Sequence, residues 1–65
     1  MKLLIAYKNG TTDEFSDAQL DCSSLTIKGH ALKLIQAFSG KNPEMHLLDG
    51  YNSVNLSEII SIRVI

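Results

Sequence analysis

One cysteine, one proline, no tryptophan, two tyrosines and two phenylalanines among 65 residues set limits on this protein before any motif is sought. A lone Cys22 cannot close an internal disulfide, and a small secreted domain without such staples is hard to stabilise, so the expectation is a reducing, cytoplasmic setting. Long hydrophobic runs are also missing. The opening apolar stretch, Leu3 to Tyr7, is shorter than the ~7–15 residues of a signal-peptide core, and no run approaches the ~18 of a membrane helix. That opening is expected to be a strand, with no membrane partner. Charge of one sign is scarce too: six Lys and Arg against seven Asp and Glu leave a formal net charge of -1, without the basic excess that binding to a phosphate backbone draws on. Nucleic acid is therefore an unlikely partner on charge grounds. With only four glycines, one proline and 20% charged residues, the composition is neither collagen-like nor that of a disordered chain.

What is present is apolar: 45% of the residues. A chain this short buries only about 60% of the surface its unfolded form exposes, so most of those residues are needed for one core. No repeat, linker or low-complexity stretch divides the sequence, and residues 1–65 are read as a single small domain.

Turn chemistry supplies the punctuation. Asn9-Gly10 between two extended runs is a strong hairpin signal, because both residues tolerate positive φ. A three-residue loop of Lys8, Asn9 and Gly10 sets Leu3 opposite Phe15 and on the same side as Ile5 and Tyr7. The competing two-residue loop pairs Leu4 with Phe15 and spoils that apolar face. Gly29-His30 suggests a second hairpin, with Ile27 opposite Leu32 and Leu25 opposite Leu34. Its rival is a helix over 31–39, with Ala31, Leu34, Ile35 and Phe38 at helical spacing but no capping residue at its start. Ser39 to Pro43 is a turn cluster, Glu44 to Leu48 a further strand and Asp49 to Ser53 a polar loop. Asn55-Leu56-Ser57-Glu58 has the form of a capping box, sufficient for one helical turn. Ile60, Ile62 and Val64 then alternate with Ser61 and Arg63 as the last strand.

The fold expected from this pattern is all-β: a small antiparallel meander of five or six strands, partly closed into a barrel, with one short helical turn. The alternative is α+β with a helix at 31–39. The polar turn at Glu58 running into an isoleucine-rich strand to Val64 resembles the last strand of SH3-like and Sm-like barrels. The Sm-like RNA-binding signature is not matched: Met45-His46-Leu47 stands where its first half would fall, and Arg63 is followed by Val64.

No catalytic constellation emerges, and no cofactor is implied. His30 and His46 lie too far apart in sequence for a zinc-ligand spacing, and Cys22 has no second cysteine. Ser39-Gly40-Lys41-Asn42 lacks the spacing of a phosphate loop. The charges are unevenly placed, however. Asp13, Glu14, Asp17 and Asp21 fall in a stretch without Lys or Arg, and Lys28, His30, Lys33 and Lys41 follow without an acid. The expected function is a non-enzymatic protein-binding or self-assembling module, such as an accessory or inhibitory protein. Asp13, Glu14, Asp17 and Asp21 would steer a partner protein, and Tyr51 would anchor it from an exposed loop. The small core also points to a homo-oligomer. The alternative is a homo-oligomeric binder of a small anionic ligand such as a nucleotide, through Lys28, His30, Lys33 and Lys41, or a weakly nucleic-acid-binding small barrel.

Overall fold

The computed structural model describes residues 1–40 and 45–65. It contains β1 (Lys2–Tyr7), β2 (Thr12–Ser16), α1 (Ile27–Phe38), β3 (Met45–Leu47), β4 (Ser53–Asn55), a 3₁₀ turn (Leu56–Glu58) and β5 (Ile59–Val64). Strands β2, β1 and β5 form one antiparallel sheet in that order, and β3 and β4 a second.

The first hairpin has the three-residue loop. Leu3 pairs with Phe15 and Ile5 with Asp13, Tyr7 N–H donates to Thr11 at 2.9 Å, and Gly10 adopts φ +86°, the left-handed conformation such a loop requires. The Asn9 carboxamide oxygen closes the loop by accepting from the Thr11 backbone and hydroxyl. Leu3 and Ile5 are thereby directed into the core and are fully buried.

Between 25 and 38 the expected second hairpin is replaced by a helix, and the reason is local. Thr26, not a residue near Ala31, is the N-cap: its Oγ1 accepts from Gly29 N–H at 3.1 Å. Gly29 and His30 thus lie in the first helical turn rather than in a β-turn. Starting at Ile27 puts Ile27, His30, Ala31 and Leu34 on one buried stripe, a period the strand reading had divided between two strands. At the other end, Ser39 N–H donates to Ile35 and Gly40 N–H to Ala37.

With these residues helical, the strands do not close into a barrel. They leave two separate sheets, β-rich but with α1 lying across β5 and β1. The core comprises Leu3, Ile5, Leu20, Ile27, Ala31, Leu34, Leu48, Val54, Leu56 and Ile59, with Tyr7, Phe15, Cys22, Ala37 and Ile62 against it. The expected turn before β5 is present, held by Asn55 Oδ1 accepting from Ser57 N–H at 3.1 Å and Ser57 Oγ at 2.7 Å. The alternation expected along β5 is broken by a bulge. Tyr7 pairs with Ile59 and Ala6 with Ser61, so Ile60 is the extra residue and is exposed while Ile59 is buried.

Candidate functional site

The four carboxylates singled out in the sequence have different surroundings. Asp13 stands on the core-facing side of β2 at the rim and accepts a 2.7 Å hydrogen bond from the Tyr7 hydroxyl; burial first, and then this bond, push the Tyr7 ionisation upward. Glu14 lies 3.7 Å from the Lys2 ammonium, both side chains half-exposed. Asp21 is drawn onto the following turn, where hydrogen bonding from the Ser23 side chain first, and then from its backbone N–H at 3.0 Å, lowers the carboxyl pKa. Asp17, like Asp21, raises the Cys22 thiol pKa, although burial of the thiol is the larger cause.

Tyr51 projects from the loop between β3 and β4 and is 97% exposed. The loop beneath it is fixed by Asp49. One carboxylate oxygen of Asp49 accepts from Tyr51 N–H and Asn52 N–H, each at 2.8 Å, and the other from Asp21 N–H at 2.8 Å. These bonds lower the Asp49 pKa to about 2. Asn52 Nδ2 extends the tie by donating to the Gln19 carbonyl at 2.9 Å. The sequence places Asp49 in a polar loop but gives no sign that it joins two distant loops. Tyr51 and Asp21 are thus connected through Asp49, whereas among the described residues no hydrogen bond or ion pair joins Asp13 or Glu14 to that loop.

The basic residues do not share one face. Lys28 and Lys33 are five positions apart on α1, about 140° around the helix at ~100° per residue. His30 points into the core, where its Nε2 meets the Asp21 carbonyl at 2.8 Å. Lys41 lies outside the described residues. His46, on β3, is half-buried, and its pKa is lowered by that burial and then by Lys33 and His30. Among the described residues there is no enclosed pocket and no group of three His, Cys, Asp or Glu side chains placed to hold a metal ion.

Two further apolar features stand out. Leu32, Ile35 and Phe38 form an i, i+3, i+6 ridge on α1 and are 58%, 44% and 43% exposed. The sequence pattern sets Leu32 in a hairpin and counts Ile35 and Phe38 with the apolar stripe of a helix begun at Ala31, whereas the helix begins at Ile27 and buries Ile27, His30, Ala31 and Leu34. Beginning the helical period at the Thr26 cap separates this ridge from the buried stripe in the sequence itself. The second feature is the outer edge of β5. Lys2 and Ile65 exchange backbone bonds of 2.7 and 2.9 Å, so by antiparallel alternation Val64 and Ile62 direct their N–H and C=O groups away from β1. No described strand pairs with that edge.

Compared with known proteins, the chain matches no family model, no curated protein and no solved structure.

Proposed function

We propose that this chain is a non-enzymatic protein-docking domain, and that its docking surface is the α1 ridge together with the free edge of β5. The observation that carries the reading is the exposure of Leu32, Ile35 and Phe38 on a chain whose small size makes apolar side chains valuable to its own core. A strand edge beside an apolar helix flank offers what an incoming segment needs: backbone groups to complete and a surface to dehydrate. The β2 edge is a poorer acceptor, because it carries Asp13 on its inward face and Glu14 on its outward face.

A photo-crosslinking residue placed at Leu32 or Ile35 in living cells should give a discrete protein adduct, and one placed at Asn9 should not. Adducts at all three positions, or at none, would refute the reading.

Tyr51 supports a second contact. An almost fully exposed aromatic on a loop held rigid by Asp49 loses little conformational freedom when a partner covers it. Asp13, Glu14, Asp17 and Asp21 would favour the approach of a basic partner to this second surface.

A further inference from the structure

We infer that the occupant of the β5 edge is a second copy of this chain, paired strand to strand about a twofold axis at Ile62; this rests on the docking reading above. Three geometric arguments favour it.

The first is register. Centring an antiparallel β5 pair on Ile62 overlaps the whole of Ile59 to Ile65 with its counterpart and brings the outward backbone groups of Ile62 face to face. Val64 then meets Ile60 of the second copy, and Arg63 meets Ser61. Centring on Arg63 instead would set two guanidinium groups opposite each other, which is unfavourable.

The second is spacing. An axis normal to the sheet puts both α1 helices on the same face of a continuous six-stranded sheet. Strands lie about 4.8 Å apart, so a helix seated over the β1–β5 pair stands about one strand spacing from the axis. The two helices are then about 10 Å apart, the upper end of ordinary helix-packing distances. The flank of α1 that bears His30 is taken by the Asp21 segment, whose carbonyl meets His30 Nε2 at 2.8 Å. The Leu32–Ile35–Phe38 ridge lies on the other flank, free to meet its counterpart.

The third is charge. A twofold axis makes the helices antiparallel, so Lys28 in the first turn of one lies beside the last turn of the other, where the helix dipole is negative and α1 carries no basic residue. Neither α1 nor β5 contains a carboxylate, so no anion is buried. The charged β2 edges remain outermost, which closes the assembly at two copies instead of letting sheets add end to end.

The test uses the full chain. Sedimentation across a hundredfold dilution should show a dimer in equilibrium with monomer. Leu32→Glu with Ile35→Glu should raise the dimer dissociation constant by about tenfold or more without loss of secondary structure. Val64→Pro should do the same, since that N–H points away from β1 and its loss leaves the native sheet intact. In a Cys22→Ser background, Ser61→Cys with Arg63→Cys should yield a disulfide-linked dimer on mild oxidation, which reports the register independently of affinity. A monomer throughout, with no covalent dimer, would overturn self-pairing. The docking reading is judged separately by the crosslinks: adducts at Leu32 and Ile35 to another protein uphold it even then. A dimer indifferent to the ridge and Val64 substitutions, with no disulfide at 61 and 63, would place the interface elsewhere and overturn the inference.

Discussion

Asp49 ties two distant segments together, since one carboxylate fixes its own loop and also holds the Asp21 segment. Its pKa of about 2 in the folded chain lies below the ordinary 3.8, so the unfolded chain binds the proton more readily. The stabilisation is therefore complete above the ordinary value and is lost as pH falls toward 2. Chemical denaturation between pH 5 and about pH 2 should show this loss, and Asp49→Asn should flatten it while weakening the fold at neutral pH. Equal slopes in both proteins would assign the acid sensitivity to other groups. His46 is lowered for a different reason, burial first and Lys33 and His30 next, so its neutral form is favoured in the folded state. Its imidazole resonances should titrate below the ordinary 6.5, and Lys33→Gln should move the midpoint upward. A midpoint at or above 6.5 would contradict the half-buried position of the ring. At Tyr51, nearly complete exposure means that Tyr51→Ala should leave the melting temperature unchanged, while a partner bound through that loop dissociates faster.

Among the elements, α1 gives the clearest test of why the sequence folds as it does. Thr26→Ala removes the acceptor for Gly29 N–H and should cost about 0.5–2 kcal/mol, and Thr26→Ser should recover most of it. An unchanged stability would mean that packing alone sets the start of the helix. This residue also marks where sequence reasoning stopped short. The β1–β2 register, the Gly10 conformation, the Asn55 turn and the existence of β5 follow from local chemistry, and each is present as expected. Gly29-His30 matches a turn signal and favours a hairpin, and the helix that competes with it over 31–39 begins five residues beyond the Thr26 cap. Two local signals competed there, and the buried stripe of Ile27, His30, Ala31 and Leu34 decided between them. The β5 bulge is a different case. It depends on how Tyr7 and Ala6 meet a strand far along the chain, which no local pattern encodes. The surface suffered accordingly: Tyr51 was legible as an exposed aromatic, while the ridge stayed hidden until the helix was placed.

For the whole molecule, the division of charge matters more than the net value of -1. The acids of β2 lie on the opposite edge of the sheet from β5, so under the proposed function electrostatic attraction and apolar contact would fall to different surfaces. Replacing Asp13, Glu14 and Asp17 with Asn, Gln and Asn should slow association with a basic partner and flatten its salt dependence. The same variant should leave self-pairing through β5 intact. Rapid-mixing kinetics at two ionic strengths separate these effects, and an unchanged salt slope would show that the acids only solubilise their edge.

Because Lys2 and Ile65 exchange hydrogen bonds, the two ends of the chain lie side by side. Joining β5 to β1 closes a loop of about sixty residues, against three for the first hairpin, an entropic difference on the order of 2–3 kcal/mol. This difference predicts that the sheet is completed late, after the hairpin and the helix. A circular permutant linked across these ends and opened at Asn9–Gly10 would reverse the order: the β1–β5 pairing becomes the tight hairpin and β2 the long-range addition. Such a chain should reach the same native structure along a different route, since what changes is only which contact the chain must search for.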